Sequence, residues 1–489
     1  MVTSVQTAAP RTRRFQPSTL VALLVAGAFF MENLDGTVIA TALPQMAQTF
    51  GVGPVDLNVG MTAYMLTLAV FIPVSGWVAD RLGARTVFAS AIGLFTLASI
   101  LCGMSNGLWE FTAARILQGM GGALMVPVGR LVVLRTTEKK DLVRSIAYIT
   151  WPGLAAPVIG PPVGGFITTY SSWRWIFYLN VPLGVIGIAL ALIWIKNAPG
   201  HSRRFDWLGF ALAGSACTSI MYSLELLGQQ NVRWATAGWF LGYGLVAGWA
   251  GVWHMRRTEH PLIQFDALKQ RTFAVVIWGG SLFRLAISVS PFLLPLMFQI
   301  AFGLSAFRSG LLVLAMFAGN LFMKAATTPI LRRFGFRRVL VVNGLITAAL
   351  IASFTTLSPN TPAALLIALL FAHGLSRSMQ FTGISTLAFV DVSQAQMSSA
   401  NSFFTVMTQM SMGMGVAVGA VELRLAAWLR GGPQSAPTIG DFHLAFGMVS
   451  MIAVLAVVDC LSLDRHAGAV VSGHQPSPAS TPQTSSARS

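Results

Sequence analysis

The sequence predicts an all-α membrane protein of 14 transmembrane helices, built as two six-helix bundles with two helices inserted between them. Three observations predict it. Only 10% of the 489 residues are charged and 54% are hydrophobic, against roughly 25% charged in an average soluble domain. The chain divides into fourteen apolar runs bounded by Gly, Pro or charge. A short basic connection between two of those runs recurs 252 residues later, from Gly83 to Gly335.

A spanning helix takes about 20 apolar residues. The runs fall at 18–43, 57–79, 86–106, 108–134, 143–169, 174–195 and 207–228, then at 234–254, 273–300, 306–330, 338–357, 362–390, 398–428 and 441–463. Residues 1–17 read as a cytoplasmic N-terminal tail. Arg11, Arg13 and Arg14 precede the first run as they would a signal peptide, but Glu32 and Asp35 lie inside that run and it is too long for a signal core, so it stays as the first span. Residues 18–195 form the N-terminal bundle, 207–254 the two inserted helices and 273–463 the C-terminal bundle. Residues 466–489, rich in Ser, Pro, Ala, Thr and Gln, are too poor in apolar side chains to fold and read as a disordered cytoplasmic tail.

The net charge of +16 would point to nucleic acid in a soluble protein. In a membrane protein it marks cytoplasmic loops, so no nucleic-acid partner is expected. Of the 32 Lys and Arg residues, 22 fall on the side of the N-terminus, five opposite and five within spans; the N-terminal side is therefore read as cytoplasmic. Cys102, Cys217 and Cys460 sit singly in apolar stretches, with no spacing that would bind metal or build a disulfide framework.

The repeated connection is 79–87 laid over 331–339, both containing R-x-G-x-R-x-V. Duplicated helical halves with a site between them are a transporter architecture. The first copy, Gly76-Trp77-Val78-Ala79-Asp80-Arg81-Leu82-Gly83-Ala84-Arg85, resembles the loop signature of the major facilitator superfamily, with Ala84 departing from the usual first basic residue. A short turn here needs the backbone freedom of Gly83, and Asp80 can cap a helix or pair with Arg, so Gly76, Asp80, Arg81, Gly83 and Arg85 are expected to form a gating loop.

Three further stretches narrow the resemblance to the fourteen-helix drug:proton antiporters of the EmrB/QacA type. They are Leu34 through Pro44 in the first span, Arg115-Ile116-Leu117-Gln118-Gly119 in the fourth, and Gly153 through Gly165 in the fifth, with Trp173-Arg174-Trp175-Ile176-Phe177 opening the sixth. The resemblance implies the major facilitator fold, export of small amphiphilic drugs in exchange for protons, the proton gradient as energy source with no cofactor, and function as a monomer in the bacterial cytoplasmic membrane. It also implies an antiporter motif at Gly153, Pro157, Gly160, Pro161, Gly164 and Gly165.

The residues support a site on their own terms. Asp35 and Arg115 lie about 12 and 9 Å from the far ends of their spans, at similar depth. An ion inside a span is costly unless it faces protein or water and has a partner, so the two are expected to interact across a cavity. A permanent salt bridge between the first and fourth spans is the structural alternative. Glu32, one turn from Asp35, is a second carboxylate; two so close resist joint ionisation, which suits groups that catch and release protons. The Pro and Gly density of the fifth span reads as a moving part or as a tight static face.

The second half is rich in buried base. Arg284, Asn320, Lys324, His373 and Arg377, with Gln118 from the first half, are the substrate-cavity candidates; Lys324 and Arg377 could instead snorkel to the cytoplasmic interface. Glu225, Glu422 and Asp459 are expected at the interface, as are Trp234, Trp239, Trp249 and Trp253. A proton-coupled symporter or uniporter is the rival within transport, disfavoured by the fifth-span motif. A membrane receptor or sensor lacks a soluble output domain, and an enzyme lacks a nucleotide loop, a metal cluster or a recognisable nucleophile and base.

Overall fold

The computed structural model describes residues 17–136, 142–196, 205–228, 233–259, 261–393, 396–431, 437–464 and 467–468; the two tails lie almost wholly outside the described residues. The elements are helical throughout: α1 (Pro17–Val38), α2 (Leu43–Phe50), α3 (Asn58–Leu82), α4 (Ala84–Met104), α5 (Leu108–Thr136), α6 (Leu142–Tyr170), α7 (Trp175–Tyr178) and α8 (Asn180–Trp194). Then come α9 (Trp207–Gly228), α10 (Trp234–Met255), α11 (Arg271–Leu296), α12 (Ala306–Phe334), α13 (Phe336–Ser353), α14 (Ala363–Leu387), α15 (Met397–Leu429) and α16 (Ile439–Leu461). Among the described residues, twelve helices are long and apolar enough to cross a membrane. Helices α6 and α10, of 29 and 22 residues, are not in that group, so the described residues hold twelve candidate spans and two further long helices.

The first half packs α1, α3, α4, α5, α6 and α8 together, and the second packs α11 to α16. The halves meet along two seams, α6 against α12 and α3 against α15. The internal repeat explains the pairing: shifting α3 by 252 residues gives α12, and shifting α6 gives α15, so the seams are two copies of one contact. The repeated loops match in detail. Gly83 and Gly335 adopt φ of 87° and 73°, and each donates its N–H to the carbonyl four residues back, Ala79 and Leu331, at 3.0 Å. Only Gly takes that backbone without strain.

Burial is uneven along the membrane normal. At the end of the molecule where α1 starts and α16 stops, here the terminal face, the two halves keep separate apolar cores, one around Val25, Phe88 and Phe95 and one around Phe273, Phe336 and Leu340. At the far face a single core runs across both, from Phe111, Trp173 and Phe177 to Phe292, Phe298 and Phe446. The far face is thus closed, and the halves diverge toward the terminal face.

Helices α9 and α10 form a hairpin whose α9 docks on both α3 and α15. That docking corrects one expectation. Glu225 and Glu422 are not interfacial but buried, each 6% exposed, because α9 covers α15 with protein where headgroups were expected; Arg424 of α15 reaches both the Gly228 carbonyl, at 3.1 Å, and Asp56, at 3.0 Å. Asp459 is half-buried and accepts the Gly279 N–H at 2.9 Å. The four tryptophans of α10 are exposed.

Asp206 caps α9. Its carboxylate accepts the Gly209 N–H at 2.8 Å and the Leu262 N–H at 3.1 Å and pairs with His254 at 2.9 Å, tying both ends of the hairpin to the following loop. Burial raises its pKa, but these hydrogen bonds together outweigh burial and hold it below the usual carboxylate range. A depressed folded pKa gives stability that is complete above the unfolded value of about 3.9 and lost as pH falls through the folded one. Asp206→Ala should therefore cost about 1 kcal/mol at neutral pH, and the difference from wild type in thermal melts should vanish in strong acid.

Candidate functional site

Asp35 sits on α1 with an exposure of 3%, and Arg115 and Gln118 sit one turn apart on α5 with 1% and 0%. Helix geometry puts residues three apart on one face, so both α5 side chains reach the same carboxylate. Arg115 Nη1 donates to Asp35 Oδ2 at 2.6 Å, and Gln118 Nε2 donates to Asp35 Oδ1 at 2.8 Å. Asn180, at the start of α8, donates from Nδ2 to the same Oδ1 at 3.0 Å. Ser99 of α4 receives a hydrogen bond from Gln118 at 2.9 Å and one from Asn180 at 3.2 Å. Arg115 also donates to Gln118 Oε1, and its guanidinium lies 4.1 Å from the centre of the Tyr64 ring on α3.

The cluster thus draws together α1, α3, α4, α5 and α8. A buried ion pair repays its desolvation only when its remaining lone pairs and protons are satisfied, and Asp35 has three donors on two oxygens. Arg115 and Asp35 were expected to meet across a cavity; they meet inside the first bundle, where α1 and α5 approach closely enough to exclude it. Asn180, Ser99 and Tyr64 were missed. The signal for Asn180 and Ser99 was a polar side chain in an apolar run, too common to rank without knowing which helices touch.

Glu32, one turn away, is half-buried, and its Oε2 has no hydrogen-bond partner. Its carboxyl carbon and the Tyr64 hydroxyl, itself without a partner, both lie next to Gly122 of α5.

A cavity of about 260 Å³ lies between the halves. Asn33, Gly36 and Thr37 of α1 line it, with Ala40 and Thr41 of the turn that follows; these flank Asp35, whose carboxylate turns the other way into the bundle. Pro157 and Pro161 of the fifth-span motif line it too, as do Asn320, Lys324 and Arg377 from the second half. Lys324 and Arg377, for which snorkelling was the alternative, both line this cavity.

The other candidates lie outside that lining. Gln118 serves Asp35. Arg284, 1% exposed, stacks 4.7 Å from the Phe404 ring and donates to the Val276 carbonyl at 3.3 Å. His373 is fully buried, meets the Phe354 ring edge-on at 5.3 Å, and neither ring nitrogen has a hydrogen-bond partner.

The glycines of α6 serve close approach. A Cβ at Gly160 would meet Thr37 Oγ1 at 2.2 Å and one at Gly164 the Val38 carbonyl at 2.5 Å, both on α1. A Cβ at Gly165 would meet the Ala306 carbonyl at 2.5 Å, and one at Gly310 of α12 the Pro161 carbonyl at 2.2 Å. One helix therefore presses on the helix of Asp35 with one face and closes the far seam with another. Gly153 lies looser, with Phe29 at 3.5 Å. On the repeated loop, Gly76 is exposed, Asp80 and Arg85 are half-buried, and Arg81 is exposed over the Trp77 ring at 5.4 Å.

Comparison with known proteins follows the same lines. The chain is 36% identical over 423 residues, 86% of its length and 89% of the relative's, to a Cronobacter sakazakii protein named "Putative multidrug resistance protein MdtD". It is 38% identical over 400 residues, 81% and 83% of the two lengths, to a protein of the same name from Serratia proteamaculans. Among solved structures, the nucleoside transporter NupG superposes with a TM-score of 0.65 over 92% of this chain and all of the other at 13% identity, a likeness of fold alone. The family model described as Major Facilitator Superfamily matches residues 25–416, which hold the repeated loop, the Asp35 cluster and both seams: the chain belongs to the major facilitator superfamily.

Proposed function

We propose that this protein is a proton-coupled multidrug efflux transporter that works by alternating access. The observation that carries the reading is the position of Asp35: an ionisable side chain that accepts three side-chain hydrogen bonds, one residue from the cavity lining, on a helix pressed against the seam-forming α6. A carboxylate is acceptor only. A proton on Asp35 would put a donor where three donors converge, so the cluster must rearrange and α1 must shift. Because α1 lines the cavity and packs on α6, that shift reaches both the drug site and the far-face closure. Glu32, beside the cluster with a free carboxyl oxygen, is the second proton site of this reading.

In the same reading α6 and α10 also cross the bilayer, giving fourteen spans with α9 and α10 as an insertion. The terminal face, which holds most of the basic residues, is cytoplasmic, and the closed far face is periplasmic. The protein acts as a monomer in the bacterial cytoplasmic membrane, on small amphiphilic drugs, with the proton gradient as its energy source. The names of the MdtD relatives support the substrate class.

Purified protein in liposomes tests the whole reading. Addition of a transported drug to vesicles holding a pH gradient should dissipate the gradient in a drug-dependent manner. Symport would move drug and protons the same way, and a sensor would move neither.

The loop with Asp80 and Arg81 is assigned to gating, since it joins α3 to α4 at the terminal face, away from the cavity. Asp80→Asn should slow turnover by about tenfold or more while leaving equilibrium drug affinity within about twofold. A large loss of binding with normal insertion would reject the assignment.

A further inference from the structure

The charge of the central cavity is one-sided. Among the described residues that line it there is no Asp or Glu, while Lys324 and Arg377 both face it. Asp35, the carboxylate nearest in sequence to the lining, is turned into the first bundle and held by Arg115. Lys324 Nζ donates to Thr382 Oγ1 at 2.6 Å, joining α12 to α14, and an ammonium has two further protons to give. Arg377 is 9% exposed, lies 5.7 Å from the Phe317 ring, and its Nη1 has no hydrogen-bond partner. A buried guanidinium nitrogen left without an acceptor is costly, more so in a membrane. Polar groups of that kind persist where a ligand completes them.

Apart from the neutral polar side chains of Asn33, Thr37, Thr41, Ser288 and Asn320, the rest of the lining is apolar, with Met61 and Met65 from the first half and Phe292, Phe317 and Phe381 from the second. Methionine and phenylalanine accept varied shapes and ring systems. We propose that the cavity binds amphiphilic organic anions, with the acidic head on Arg377 and Lys324 and the hydrophobic body against the methionine and phenylalanine wall. This rests on the transporter reading for its biological meaning and narrows it to a substrate charge class. It excludes dications as good ligands: two positive side chains in a low-dielectric cavity repel a desolvated cation. Arg284, outside the lining, is not part of this site.

The test is equilibrium binding to the full-length protein in detergent, with no proton gradient, using one naphthylmethyl group bearing a carboxylate, a carboxamide or a trimethylammonium head. The carboxylate should bind about tenfold or more tightly than the amide, and the ammonium weakest, as expected for a charge-assisted hydrogen bond. Arg377→Gln and Lys324→Gln should each weaken the carboxylate about tenfold and leave the amide within about twofold. Arg377→Lys, which keeps the charge, should retain preference for the carboxylate if the glutamine variant does not fold. Tightest binding of the ammonium to wild type overturns the proposal, as does an equal loss for all three ligands in Arg377→Gln. Anion-selective binding with no drug-driven proton flux would leave this site standing and defeat the export reading; flux with cation preference would do the reverse.

Discussion

Asp35→Asn is expected to abolish proton-driven efflux. The variant keeps the shape of the side chain and loses the ionisable group, so the three-donor cluster around Arg115, Gln118 and Asn180 has no carboxylate to receive a proton. Removing one partner of a buried ion pair also costs about 3–5 kcal/mol, because Arg115 is left with its charge uncompensated inside the bundle. A companion variant separates the two effects: Asp35→Asn combined with Arg115→Gln removes both charges and should recover most of the thermal stability without restoring coupling. Drug exchange across vesicles at equal pH, which needs no net proton movement, should persist in the double variant. Proton-coupled transport at wild-type rate in folded Asp35→Asn protein would reject Asp35 as the coupling site and turn attention to Glu32→Gln.

Gly165→Leu is expected to hold the far face open. In the closed seam there is no room for even a Cβ at Gly165 against the Ala306 carbonyl and the Phe307 Cα, and both neighbours are backbone, so relief requires α6 and α12 to part. Overpacking of this kind costs about 1–3 kcal/mol or more, and every 1.4 kcal/mol shifts a two-state equilibrium about tenfold. Efflux should fall at least tenfold with the protein still folded. The sign can be read from a cavity cysteine, Asn320→Cys, in a background where Cys102, Cys217 and Cys460 are replaced by alanine. A membrane-impermeant thiol reagent added at the far face should label it faster in the Gly165→Leu protein. Unchanged labelling and unchanged transport would mean that this seam does not open during the cycle.

Much of this was legible in the residues. The twelve helices long and apolar enough to cross a membrane lie within a few residues of apolar runs, because hydrocarbon tolerates neither unpaired backbone nor charge and so writes such a helix into the sequence as an apolar stretch. The paired loops were legible because both copies need glycine at the same positive-φ position. The contact between Asp35 and Arg115 was legible in outline, since two opposite charges at one depth in apolar spans each need a partner.

Tertiary structure decided the rest. Apolar periodicity says little about which face of a helix meets which neighbour when lipid and protein interior are equally apolar. The sequence therefore placed Gln118, Arg284 and His373 together with Asn320, Lys324 and Arg377 as cavity candidates, and only packing separated the three that reach the cavity from the three that do not. The same degeneracy hid Asn180 and Ser99, brought from α8 and α4 to Asp35 across intervals of 145 and 64 residues, and it hid the burial of Glu225 and Glu422 beneath the α9 and α15 contact. Composition and the repeat determined that the chain folds as apolar helices in two related halves; which side chains share a pocket was settled by close approach of backbones at glycines, a long-range steric fact that no local stretch of sequence carries.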